Sequence, residues 1–423
     1  MNWVSLRAAC AVAGIYGAFL IFAQFSFVEL IRAEGIGETG EKIILGAMAL
    51  AGIAAGFVSA WRGTSPNLAR ASCLVLAASA AVAPLLSTPG WLLVVALVTG
   101  ASLGAATVSL SAMLRGWCRL PWVGLGTGIG YACCNIPWIF QQGASVQAWT
   151  GAGFALLAAC FMPGSIGAIS TYHFNTAKNS RPWLWLLLFT ILVWTDSAAF
   201  FIIQHASDLK IATWGPELLW RNAIVHLFFA MIAGYWLGTK RATILPAAAW
   251  ILLAIAAMAV NEASYRPLGG VIYPAAVSLY STALIAWPGW FSDAKNQRSA
   301  AWRAAWLFAV AGWFGSANGI AMAQSLQRVP VTWIAASAAV ILLAVTFSRP
   351  ERFRVGIALS VIFAAAWLGS IKSNRSADSA LTAAERGRQV YLSEGCIHCH
   401  SQYIRPSTAD ESIRGPARSL EET

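Results

Sequence analysis

Three observations predict an all-α polytopic membrane protein. Of 423 residues, 58% are hydrophobic and 11% charged, against roughly 25% charged in an average soluble domain. Mean hydropathy is +0.64. Apolar stretches long enough for helices recur from Ala8 to about Ile371, with short polar breaks between them. A helix needs about 20 apolar residues to cross the hydrocarbon layer, and it satisfies its own backbone there. A soluble globular domain and a disordered chain are both excluded.

In chain order the predicted spans are 9–31, 43–61, 71–87, 91–113, 121–141, 146–170, 183–204, 217–238, 243–260, 271–291, 302–323, 330–347 and 355–371, thirteen in all. Pro, Gly, Asn or charge interrupts them, as in Arg62 to Arg70, Lys178 to Pro182 and Arg349 to Arg354. The first span is long and lacks a small-residue cleavage site after a short apolar core, so it reads as a span rather than a cleaved signal. Many of the 21 Trp, among them Trp61, Trp91, Trp183, Trp250 and Trp302, sit near span ends, where amphipathic rings anchor at the interface.

The net charge of +11 comes from 28 basic and 17 acidic residues. Fifteen Lys and Arg fall on the side of Arg7, Arg62, Arg70 and Arg115; six fall on the other, and seven lie in the tail. The positive-inside rule then predicts a cytoplasmic N-terminus. Thirteen spans put the C-terminus outside, in the periplasm of a bacterial inner (cytoplasmic) membrane protein. Membrane lipid is the expected surrounding, and no nucleic acid is expected.

The tail from Lys372 to Thr423 is polar and contains Cys396-Ile-His-Cys399-His400. Cys-x-x-Cys-His is the attachment pattern of a c-type haem. Two thiols three apart reach two vinyl groups, and the next residue, a His, sits under the iron. A redox dithiol would not need His400, and a zinc site would need a second ligand pair. Thr382 and Glu385 have the spacing of a capping box. They predict a helix ending near Gly395, with Gly387 and Tyr391 on one face. A haem–copper oxidase core is excluded, because outside the motif only His173, His205 and His226 remain.

From Gly387-Arg-Gln-Val-Tyr391 through Glu394-Gly-Cys396 to Cys399-His-Ser-Gln402-Tyr-Ile-Arg405-Pro406, the tail resembles the FixO family. That family is the mono-haem cytochrome c subunit of C-family haem–copper oxidases. The resemblance implies one covalent haem c on Cys396 and Cys399, with His400 as the iron ligand. It further implies Arg405 as a candidate propionate contact and one-electron transfer toward a respiratory oxidase or related reductase as the role. Two features depart from that family. Its members have one anchor rather than many spans, and here no Met follows Met322 to serve as distal ligand. A truncated cytochrome domain is therefore expected.

The first twelve spans divide six and six around Thr171 to Pro182. This layout resembles the major facilitator superfamily, whose halves are repeats. Span 5 carries Gly124, Gly126, Gly128 and Gly130, then Asn135-Ile-Pro137; it resembles the flexible fifth helix of that superfamily, and small residues there also permit close packing. The resulting organisation is a facilitator-like domain over 1–348, a thirteenth anchoring span over 349–371 and an external c-haem segment over 372–423. A mid-span carboxylate costs about 2.5–3.5 kcal/mol on insertion scales. Asp196 and His226, near the middles of spans 7 and 8, are accordingly the transport candidates, expected to share a polar cavity. The leading functional expectation is a membrane-anchored cytochrome c. The alternative is a major-facilitator-type secondary transporter with a fused regulatory or vestigial haem segment.

Overall fold

Prolines and short polar residues set where the helices begin. Pro66 and Pro89 each occupy a first helical turn, where the missing N–H leaves no bond unmade. Ser65 accepts from the Leu68 amide and closes that N-terminus at 3.1 Å. The computed structural model describes residues 3–86, 88–164, 182–239, 245–261, 265–292 and 296–347, and all regular structure among them is helical.

The first six helices are α1 (Trp3–Ala33), α2 (Glu38–Arg62), α3 (Pro66–Leu85), α4 (Pro89–Trp117), α5 (Leu120–Cys134) and α6 (Ala144–Phe161). The next six are α7 (Pro182–His205), α8 (Leu219–Leu237), α9 (Leu245–Asn261), α10 (Arg266–Trp290), α11 (Gln297–Leu326) and α12 (Val331–Phe347). Among the described residues, nine helical stretches are long and apolar enough to cross a membrane; α5, α9 and α12 are shorter. Leu50, Leu97, Ile224, Phe228 and Ile251 point outward and exposed, as a lipid-facing belt requires. The chain is a polytopic membrane protein.

Three span boundaries differ from expectation, each for a local reason. The fifth span breaks at Asn135, whose side-chain amide donates to the Tyr131 carbonyl at 2.9 Å, and Pro137 opens a separate turn, Pro137–Phe140. The sixth stops at Phe161 rather than continuing to 170. Met162 precedes Pro163 and takes an extended ψ of 118°, as the proline ring demands of its neighbour. The eighth is preceded by its own helix, Ser207–Trp214, cut off by Pro216. Trp61, Trp91 and Trp183 are exposed at helix ends, whereas Trp250 is buried and donates to Ser337 at 3.2 Å. The thirteenth span and the whole tail lie outside the described residues.

The same packing plan occurs twice, offset by six helices. In the first half α2 and α3 pack on α4, α1 packs on α5 and α6, and α3 packs on α6. In the second half α8 and α9 pack on α10, α7 packs on α11 and α12, and α9 packs on α12. The halves join along two matching seams, α5 with α8 and α2 with α11. Glycines allow the first seam. A methyl group on Gly124 would stand 2.3 Å from the Ala230 carbonyl oxygen, and one on Gly234 2.7 Å from that of Leu120. The alternate glycines of α5 serve α1: at Gly126 a methyl would meet the Ala9 carbonyl at 2.5 Å. Two interleaved small-residue rows on one helix thus let two neighbours approach backbone to backbone.

At the end of the bundle that holds the α1 N-terminus, guanidinium groups close helix C-termini. Arg7 and Arg70 both donate to the Met162 carbonyl beyond α6, at 3.1 and 2.9 Å. Arg115 donates to Ser292 beyond α10 at 3.0 Å, and Arg303 donates to Phe291. Cations there satisfy orphan carbonyls and oppose the negative end of the helix dipole. The same end ties the halves together: Gln297 donates to the Thr64 hydroxyl at 3.0 Å, and Gly289 lies against Ser111.

Candidate functional site

The sequence singled out Asp196 and His226, and both lie in the interior against α10. Asp196 is one of the interior-facing residues of α7. Its Oδ1 accepts from the Tyr273 hydroxyl at 2.6 Å, and its Oδ2 accepts from the Tyr280 hydroxyl. Tyr273 and Tyr280 are seven apart on α10, two turns on one face, so together they grip one carboxylate. Both rings are buried, while Asp196 itself is half-buried.

His226, on α8, is 5% exposed and buried against the same helix. Its Nδ1 and the Ser278 hydroxyl are 2.8 Å apart. Tyr131 of α5 stacks on the imidazole, with ring centres 4.8 Å apart and planes 19° from parallel. The Tyr131 hydroxyl bonds the Ser281 hydroxyl at 2.9 Å, and Tyr16 of α1 donates to the Ser281 carbonyl at 2.9 Å. Tyr131 also lies within electrostatic reach of Asp196. Asp196 and His226 thus each bond to α10, and Tyr131 stacks on His226 and lies within electrostatic reach of Asp196.

Five helices meet here. Tyr16 comes from α1, Tyr131 from α5, Asp196 from α7, His226 from α8, and Tyr273, Ser278, Tyr280 and Ser281 from α10. Sequence reasoning missed the tyrosines and serines. A signal existed: Tyr273 and Tyr280 share a face of an apolar span, where each hydroxyl needs a partner because lipid offers none.

Rings continue from this cluster toward the end of the bundle opposite the α1 N-terminus. Tyr273 meets Trp214 at 6.3 Å, Trp214 meets Phe200 at 5.4 Å, Phe200 meets Phe25 at 5.9 Å, and Phe25 meets Phe140 at 5.5 Å. Phe25 and Tyr16 flank or lie within a stretch where α1 widens to π geometry, Ala18–Ser26; such segments recur at functional sites. A separate groove of about 310 Å³ between α8, α9 and α10 is lined by Phe229, Ile232, Trp236, Ile251, Leu252 and Leu279; it is apolar and holds none of these groups.

The other expected site residues, Cys396, Cys399, His400 and Arg405, lie outside the described residues. Among the described residues no group of three or more His, Cys, Asp or Glu side chains could hold a metal ion. The six described cysteines are free thiols.

No family profile and no curated protein matches the sequence. Solved structures do. The human organic anion transporter MFSD10 (TETRAN) aligns over 82% of this chain and 98% of its own, with a TM-score of 0.53 and 13% identity. The nucleoside transporter NupG aligns over 86% of this chain and 99% of its own, at 14% identity, but its TM-score of 0.45 is too low to add weight. The chain is thus similar in overall fold to the solved structure of MFSD10.

These findings correct the leading expectation. The bundle that makes up most of the chain shares its fold with a solved transporter structure, which favours the alternative expectation over the anchor of a cytochrome. A membrane-anchored c-type cytochrome that passes electrons through covalent haem c is accordingly set aside, together with its haem cofactor and its respiratory-chain role. The motif in the tail is chemically specific but occupies a small part of the chain. No finding points to the oxidase or reductase subunits expected as partners.

Proposed function

We propose that the chain is a proton-coupled secondary transporter and that Asp196 is the group that takes up and releases the proton. The observation that carries this reading is the placement of Asp196. It is the acidic side chain near the middle of a span among the described residues, and it faces the interior. Two tyrosine hydroxyls hold it, and among the described residues no Lys or Arg pairs with it. A carboxylate kept at that depth is costly and marks an ion pathway by default. Tyrosine donors stabilise its charged form without fixing it there, so the group can exchange a proton as the two halves rock. Residues 1–348 form the transport domain, to which the remainder is appended. His226 supports the site from α8 by holding Ser278 and the Tyr131 ring. The excess of Lys and Arg on the side of Arg7, Arg62 and Arg70 supports a cytoplasmic N-terminus in a bacterial inner membrane.

The test is uptake into proteoliposomes under an imposed pH gradient, across a panel of organic cations, organic anions, nucleosides and sugars. Asp196→Asn preserves shape and hydrogen bonding, so it is expected to fold and to lose gradient-driven uptake. Uptake that persists unchanged in Asp196→Asn overturns the reading.

A further inference from the structure

We infer that the site around Asp196 binds an organic cation with an aromatic or apolar body, and that cation and proton exchange on this one carboxylate. The inference rests on the transport reading and names its substrate class.

The charge argument comes first. Asp196 uses two of its acceptor positions on Tyr273 and Tyr280, and an ionised carboxylate has about four. Asp196 as a whole is half-buried rather than sealed. The titratable groups facing it are Tyr273 and Tyr280 from α10 and Tyr131 from α5, on which His226 of α8 stacks. At that depth α9, α11 and α12 contribute none. Lys210 on Ser207–Trp214 and Arg221 of α8 lie toward the bundle end, where Arg221 donates to the Asn222 and Gly270 oxygens. Among the described residues no Lys or Arg pairs with Asp196, so an anionic ligand beside it would meet like charge. A cation would meet the carboxylate and the negative faces of several rings, which attract cations within about 6 Å.

The shape argument concerns α7. Asp196, Phe200 and Gln204 recur at intervals of four, one above another on one face. Phe200 joins Phe25 of α1 and Trp214 into an aromatic wall beside the carboxylate. Gln204 Oε1, one turn further, is buried with no hydrogen-bond partner. A buried acceptor without a donor is uncommon and costly; a ligand N–H or O–H at that height would satisfy it. The column thus offers a charge, an apolar wall and a free acceptor in sequence.

The exchange balances. A protonated Asp196 gives its proton to water as the cation docks, and the cation leaves as the proton returns. One proton moves for each cation, with no other reactant.

The probe is tetraphenylphosphonium, and its control is tetraphenylborate, of the same shape and opposite charge. Both are measured by equilibrium dialysis on the full chain in detergent. The cation is expected to bind once per chain, with an affinity that falls up to about tenfold per pH unit in the range where the carboxylate takes up its proton. Binding in weak buffer is expected to release a proton. Asp196→Asn is expected to weaken it at least about tenfold, and Phe200→Ala by about threefold or more. If Asp196→Asn fails to fold, the pH dependence, the proton release and Phe200→Ala still decide. Tetraphenylborate binding equally well overturns the inference, as does cation binding indifferent to pH and to Phe200→Ala, or no binding. If the inference fails while another solute shows gradient-driven uptake that Asp196→Asn abolishes, only the substrate class falls.

Discussion

In α1–α6 the interior hydrogen bonds between side chains are made by hydroxyls, as where Ser79 and Thr99 meet at 2.8 Å. Backbone contact does the rest: a methyl on Gly100 or Gly104 would stand 2.0 Å from the Met48 or Gly52 carbonyl oxygen. In α7–α12 the interior holds Asp196, His226, Tyr273 and Tyr280 instead. The packing plan is shared, so the difference is chemical. The first half is a close-packed frame that lends Tyr16 and Tyr131 to the site. The second half carries the ionisable side chains of the candidate site.

The comparison is broken most forcefully in the frame. Gly104→Ala places a methyl against the Gly52 carbonyl and is expected to cost about 3 kcal/mol or more, read as loss of monodisperse protein in size exclusion and a lower melting temperature. If Gly104→Ala melts like the parent, the first half is not a frame held by backbone contact. In the second half, Tyr280→Phe removes a donor to Asp196, worth about 2 kcal/mol for a charged acceptor. Gradient-driven uptake should fall by roughly tenfold or more with little change in melting; a change in melting alone would make the tyrosine structural. His226→Ala empties the space beside Ser278 and Tyr131 and should cost up to about 2 kcal/mol of stability. Coupling of uptake to the pH gradient should survive, and its loss would move the proton site from Asp196 to His226. The smallest effect is expected for Ser79→Ala, about 0.6 kcal/mol, seen in melting and absent from uptake.

Much of this architecture is legible in the sequence, because lipid imposes a simple rule on every span. Each of the first twelve apolar stretches carries a helix, and the six-and-six layout corresponds to the repeat in packing. The glycines of α5 read correctly as a packing device, since small residues at spacing four have few other uses inside a membrane. Boundaries moved where one residue outweighed hydropathy: Asn135 with Pro137, and Pro163 after α6. Asp196 and His226 stood out because charge is rare in apolar surroundings. Their tyrosine partners did not, since a Tyr in a span looks like any aromatic until its hydroxyl has an address. Cys396, Cys399 and His400 form a sharp local pattern, and a sharp pattern in a short tail overshadowed a diffuse one spread over the bundle.

The solitary carboxylate has a bioenergetic consequence. If one proton and one monovalent cation take turns on Asp196, the loaded site is neutral with either passenger. Moving an elementary charge across 100 mV is worth about 2.3 kcal/mol, and such a carrier forgoes that term in both directions. Its cargo gradient would follow the pH difference alone, about tenfold per unit. A cell could depolarise without reversing it, and could stop it by equalising pH while the voltage stood.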